Sequence, residues 1–127
     1  MNEVSVDWST ASIDSIAGQL RLTVDLTDDP PDIFWKEAIQ AVGKRFENED
    51  GRGFASFSIR ERTLTVLGVT RGEKQKAKAS IDELVALAYT ESEHDRGVAE
   101  AKRLTEQRAA DELAAEVQEI TDFLRSG

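Results

Sequence analysis

The single histidine of the chain, His94, lies in the stretch "ESEHDR", three residues after Glu91 and one before Asp95. On a helix these three side chains project in a similar direction, and Glu-x-x-His is the spacing by which di-iron helical bundles hold their metals. Such a site also needs a second Glu-x-x-His pair and two further glutamates, and this chain has one pair. We therefore predict a solvated polar helix face here, with no metal site and no cofactor.

Other patterns that could do chemistry are incomplete. "NEDGRG", residues 48–53, lacks the alternating acids and the final glutamate of an EF-hand, and it matches no phosphate-binding glycine motif. The chain has no cysteine, which excludes thiolate catalysis and disulfides, and it has no G-x-S-x-G motif for a serine hydrolase. The sequence thus predicts a protein that is not an enzyme.

Composition narrows the choice of partners. The 127 residues carry a formal charge of −9, from 25 acids and 16 bases, so the chain should repel nucleic-acid phosphates, and we expect no direct nucleic-acid binding. No apolar run approaches the roughly 20 residues that cross a membrane, and the N-terminus has neither a basic region nor an apolar core of a signal peptide. The expectation is a soluble, cytoplasmic protein with no membrane partner.

The first part of the chain alternates between strand and helix patterns. Apolar and polar residues alternate in "EVSVDW" (3–8) and in "QLRLTVDL" (19–26), which predicts two strands joined by an irregular segment over residues 9–18. "TDDPPD" then favours a helix start, with Asp28 or Asp29 as a cap and the helix over residues 31–45. Two short strands joined by the turn around "RER" predict a β-hairpin over residues 54–69. The residues expected to face the core from this hairpin are Ala55, Phe57, Ile59, Leu64 and Val66.

From Glu73 onward the composition is that of a helix. Ile81, Leu84, Val85 and Ala88 form one apolar face of a core helix, whereas the polar stretch around Gly97 allows either one straight helix or a bend. The order β-β-α-β-β-α predicts an α+β fold: a four-stranded, mostly antiparallel sheet with helices on one face and a C-terminal helical extension. We expect a body over residues 1–92 and an extension over residues 93–127.

The extension carries the clearest functional signal. Its apolar residues are spaced by four, three and four positions, which places them on one side of a helix and predicts a docking surface. The pattern fails before residue 110, so a long coiled coil is not expected. The leading hypothesis is a non-enzymatic protein–protein interaction module that forms a homo-oligomer or docks onto a larger assembly, as an adaptor or as a structural subunit of a particle such as a virion. The predicted contact residues are Leu104, Leu113, Val117, Ile120, Phe123 and Leu124.

Two alternatives belong to other classes. An acidic decoy of the DNA-mimic type would occupy the basic groove of a nucleic-acid-binding protein with carboxylates such as Glu91 and Glu100. A small-molecule pocket could lie between sheet and helices, lined by Trp8, Trp35 or Phe57. In addition, "RGEKQKAK" (71–78) forms a locally basic patch that could accept an acidic partner or the acidic C-terminal segment of a second copy.

Overall fold

The computed structural model describes residues 3–126. The chain divides into two compact units, Met1–Glu93 and His94–Gly127. The first unit contains an antiparallel sheet of four strands, β1 (Val6–Ile16), β2 (Gln19–Leu26), β3 (Ser56–Arg60) and β4 (Thr63–Leu67), in the order β1-β2-β4-β3. It also contains the helix α1 (Ile33–Glu47) and the first part of the helix α2 (Lys74–Ser126). This arrangement confirms the predicted α+β fold with a long C-terminal helix.

The first hairpin is longer than the sequence predicts. β1 (Val6–Ile16) pairs with β2 (Gln19–Leu26) across a two-residue turn, in which Ala17 and Gly18 have φ angles of 52° and 79°. Positive φ angles at both turn residues suit a tight hairpin, because the resulting turn matches the right-handed twist of the strands. The prediction of an irregular segment over residues 9–18 is therefore wrong for most of that range.

A bulge in β1 explains why the sequence pattern does not predict the full length of this strand. Asp7 pairs with Asp25 and Ser12 with Thr23, so the register shifts between these two pairs. The Thr10 hydroxyl accepts a hydrogen bond from the backbone N–H of Asp25 at 2.8 Å, which ties the bulged segment to β2. A bulge interrupts the regular alternation of side chains, and alternation is the signal by which a strand is recognised in a sequence.

The second hairpin agrees with its prediction. β3 (Ser56–Arg60) and β4 (Thr63–Leu67) are joined at Glu61, which has a φ of 56°. β4 also pairs with β2, which places both in the centre of the sheet. Ala55, which was expected to face the core, is exposed, and the neighbouring Phe54 is buried in its place.

The helix α1 (Ile33–Glu47) begins slightly later than expected. Its cap is Asp32, whose carboxylate accepts a hydrogen bond from the backbone N–H of Trp35 at 3.0 Å. The expectation of Asp28 or Asp29 in this role was wrong, since the helix starts after both prolines. A capping carboxylate satisfies one of the free N–H groups of the first turn.

The helices contribute to one core with the apolar face of the sheet. Val24 and Leu64 face each other in register across β2 and β4, and both are buried. The opposite face of these strands is polar, where the Thr63 hydroxyl donates to the Asp25 carboxylate at 2.8 Å. One apolar and one polar face is the usual pattern of an antiparallel sheet covered on one side. The helical residues in the core include Trp35, Ala38, Ile39, Val42, Phe46, Ile81, Leu84, Val85 and Ala88.

The helix α2 spans Lys74–Ser126, and this range includes Gly97. The buried residues of α2 all lie in its first part, from Ala77 to Ser92. The second unit consists of the later residues of this helix, almost all of which are exposed.

Candidate interaction surface

Four branched apolar side chains in the second unit form what we call the apolar stripe. The stripe comprises Leu113, Val117, Ile120 and Leu124, which are 63%, 58%, 51% and 71% exposed. At 3.6 residues per turn, these four positions fall within an arc of about 60° around the helix axis. The stripe is therefore a continuous apolar line that faces solvent.

The two sides of the stripe differ in charge. Small uncharged residues, Ala110, Ala114 and Thr121, lie along one side by helical spacing. The other side contains three glutamates, which we call the acidic edge: Glu112, Glu116 and Glu119. Phe123, which is 74% exposed, lies on this same side. A partner that covers the stripe would thus meet carboxylates along one border only.

The helix does not bring all of the predicted contact residues together. Leu104 is nine positions before Leu113, which places it about half a turn away from the stripe. Along the line of the stripe itself, the positions toward the N-terminus are occupied by Glu106 and Lys102, whose charged groups are 4.0 Å apart. The apolar surface therefore begins after Glu106 and does not include Leu104, although Leu104 is 51% exposed.

A second apolar surface lies on the first unit. It is an open groove of about 320 Å³ at the β1–β2 side of the sheet, beside the first turns of α2. Ile13, which is 59% exposed, pairs in register with Leu22 on the neighbouring strand. The groove is lined mainly by apolar residues, together with one glutamine and two lysines, namely Trp8, Ile13, Leu22, Val69, Ala77, Gln75, Lys74 and Lys78.

The position of Trp8 is fixed by two contacts with α2. Its indole N–H donates to the Asp82 carboxylate at 2.8 Å, and the Lys78 ammonium lies 5.2 Å from the centre of a Trp8 ring. A hydrogen bond and a cation–π contact hold the ring in place from two directions. The wall of the groove is thus formed before any partner binds.

The three aromatic residues proposed for a small-molecule pocket do not share a site. Trp8 lines the groove, whereas Phe57 lines a separate depression with Gln40 and Lys44. Trp35 is fully buried in the core, and its indole N–H has no hydrogen-bond partner among residues 3–126. Of the three, only Trp8 and Phe57 border open surface.

Glu91 and His94, which were considered as metal ligands, lie in different environments. Glu91 accepts a hydrogen bond from Arg45 of α1, and His94 is exposed. Within the described residues, no group of three or more histidine, aspartate or glutamate side chains is placed to hold a metal ion. The arrangement found around Glu91 is an ion pair between two helices of the first unit.

Asp14 and Glu100, both within residues 3–126, have lowered pKa values, and an arginine is the main cause in each case. The Arg21 guanidinium donates to Asp14 and holds the pKa of that carboxyl below its usual range. Arg103 likewise lowers the pKa of Glu100 by donating to it at 2.7 Å. Each pair is at least partly exposed to solvent, and a lowered pKa favours the ionised form of each carboxyl. Neither shift is of the kind that prepares a general acid near neutral pH.

Comparisons of the chain with models of protein families, with curated proteins and with solved structures found no match. In the described part of the chain, no helix combines the length and the apolar character needed to cross a membrane. The apolar stripe and the groove are therefore the features from which a function can be inferred.

Proposed function

We propose that this protein is a non-enzymatic interaction module that self-associates through the apolar stripe of its C-terminal helix. The observation that carries the proposal is the exposure of all four stripe residues, each more than half accessible to solvent. Contiguous apolar surface bordered by polar residues is typical of protein interaction sites. A second copy is the partner that the molecule itself supplies, because the first unit offers an apolar groove bordered by lysines.

The size of the apolar surface suggests how tight this association is. Burying a large apolar side chain contributes about 1.5–3 kcal/mol, so covering the exposed parts of the stripe and Phe123 contributes roughly 5–10 kcal/mol per contact. Association itself costs about 4–15 kcal/mol in lost freedom of motion. The most favourable combination of these two ranges leaves about 6 kcal/mol, so the contact should be reversible and weak, with a dissociation constant of about 40 µM or higher.

The acidic-decoy alternative has weaker support. It requires a series of carboxylates that are free to imitate phosphates, but Glu91 is paired with Arg45 and Glu100 with Arg103. These arginines offset part of the negative charge along the proposed series.

The test is the solution mass of the full chain over a concentration series from about 1 µM to 500 µM, measured by sedimentation equilibrium. We expect self-association of the natural chain and its loss in the double variant Leu113→Asp/Ile120→Asp. The matched control is Ala101→Asp/Ala115→Asp, which adds the same charge at exposed positions away from the stripe. Circular dichroism checks that both variants keep their helix.

Three results would oppose the proposal. It is wrong if the natural chain stays monomeric over the whole series, because a stripe that binds a second copy must raise the mass with concentration. It is also wrong if the stripe variant associates as well as the natural chain. An equal loss in the control variant would show that added negative charge, rather than the stripe, governs association.

A further inference from the structure

We infer that the apolar stripe of one copy docks into the groove on the first unit of another copy, with Lys74 and Lys78 facing the acidic edge. This inference rests on the proposed self-association and names the surface that receives the stripe. The contact would be heterologous, since two different surfaces meet, and each copy both provides a helix and accepts one.

Charge is the first argument against the simpler arrangement, in which two stripes pair with each other. Residues 109–124 contain five acidic residues and no lysine or arginine. Pairing two such segments would bring the acidic edges close together without a compensating base, and like charges in contact oppose association. The stripe therefore favours a partner surface that supplies positive charge.

The groove supplies that charge beside an apolar floor. Lys74 and Lys78 are both exposed and lie one helical turn apart on α2, at the border of Trp8, Ile13 and Leu22. Glu112, Glu116 and Glu119 are likewise spaced by about one turn on the donor helix. When the stripe covers the apolar floor, one line of carboxylates can run beside one line of ammonium groups.

The asymmetry of the stripe gives this contact a direction. Only one border of the stripe is acidic, while the other carries Ala110, Ala114 and Thr121, which allow close approach to the sheet. Docking with the acidic edge away from the lysines would leave both sets of charges without partners. The charge pattern thus selects one of the two ways in which a helix can lie across the groove.

The shape of the groove also favours side chains over a small ligand. Its volume of about 320 Å³ is at the lower end for ligand pockets, which commonly measure about 300–1,000 Å³ and enclose most of the ligand. This groove is open to solvent. An open apolar depression with fixed walls suits the insertion of one or two large side chains from a helix.

The decisive experiment mixes two variants of the full chain. Lys74→Glu/Lys78→Glu changes the groove and keeps the stripe, while Leu113→Asp/Ile120→Asp changes the stripe and keeps the groove. We expect each variant alone to associate at least tenfold more weakly than the natural chain. When they are mixed, the intact stripe of the first should bind the intact groove of the second, and a one-to-one complex should form in sedimentation velocity.

The control for net charge is Lys36→Glu/Lys44→Glu, which makes the same change at exposed lysines of α1. This variant should associate nearly as well as the natural chain, and an unchanged circular dichroism spectrum would confirm that each lysine variant is folded. A weakening in this control as large as that in the groove variant would overturn the inference, because net charge would then explain both.

The outcomes separate the two proposals. If the groove variant associates as tightly as the natural chain, the inference is wrong and self-association through the stripe stands. If each variant alone is impaired but their mixture forms no complex, the inference is also wrong, because stripe and groove do not complement each other. If the natural chain is monomeric throughout, self-association itself fails and the inference fails with it.

Discussion

Replacing Gly53 by alanine should destabilise the first unit far more than the same change at Gly18. Both glycines have left-handed backbones, with φ angles of 86° and 79°. A Cβ at position 53 would lie 2.8 Å from the backbone nitrogen of Ala77 and 3.1 Å from its Cα, whereas a Cβ at position 18 meets nothing within 4 Å. The pair of variants therefore separates backbone strain from steric overlap.

The magnitudes follow from these two terms. Left-handed backbone costs an alanine about 1–2 kcal/mol, and the lower entropy of the unfolded chain returns about 0.4–1 kcal/mol, so Gly18→Ala should cost about 1 kcal/mol. Gly53→Ala has the same terms and adds about 1–3 kcal/mol of overpacking. The neighbour cannot move freely, because the Ala77 N–H donates to the Glu73 carbonyl at 3.0 Å in the first turn of α2.

The assay is equilibrium unfolding in urea, followed by tryptophan fluorescence. Trp8 and Trp35 both lie in the first unit, so the signal reports on the unit that contains the substitution. The free energy of unfolding should fall by about 1–3 kcal/mol more for Gly53→Ala than for Gly18→Ala, with a similar dependence on urea. Equal losses in the two variants would refute the claim that the loop around Gly53 packs directly against the backbone of α2.

Two further predictions concern an exposed ion pair and the core. The carboxyl of Asp14 should titrate below its usual range in NMR, and Arg21→Gln should raise its pKa. Because the pKa of Asp14 is lower in the folded state, the pair stabilises the fold at pH values above the pKa of Asp14 in the unfolded chain. This contribution is lost as the pH falls through the folded-state pKa. An unchanged pKa of Asp14 in the Arg21→Gln variant would exclude the contact. In the core, Leu84→Ala should lower the free energy of unfolding in urea by about 2–5 kcal/mol, because Leu84 is fully buried. Leu87→Ala should lower it by about 1 kcal/mol or less, because Leu87 is 37% exposed. Similar losses at both positions would contradict the assigned orientation of α2.

Much of the fold could be predicted from local patterns. The alternation in "QLRLTVDL" indicates β2 directly, and the three-four spacing of Ile81, Leu84 and Val85 indicates the buried face of α2. Such patterns succeed because the repeat of side-chain direction differs between strands and helices. The order of elements then leaves few ways to cover one apolar sheet face, and the antiparallel sheet follows.

The start of α1 was harder to predict because several residues could serve as its cap. Asp28, Asp29 and Asp32 all precede the helix and all have the side chain that a cap needs. The chain uses Asp32, which lies after both prolines. The choice depends on where the chain enters the core with Trp35, and local sequence does not specify that position.

What the sequence by itself determined is the apolar stripe, because a helix converts spacing along the chain directly into position around an axis. The same rule shows that Leu104 lies away from the stripe. The groove, in contrast, is formed only in the tertiary structure. The bulge in β1 interrupts the alternation of side chains between Trp8 and Ile13. As a result, Ile13 lies on the same face of the sheet as Leu22. Lys74 and Lys78 reach that groove only through the packing of α2 on the sheet. A pattern of types and spacings within one element predicts a surface on that element, but a surface shared by two strands and a helix depends on register and packing, which are long-range interactions.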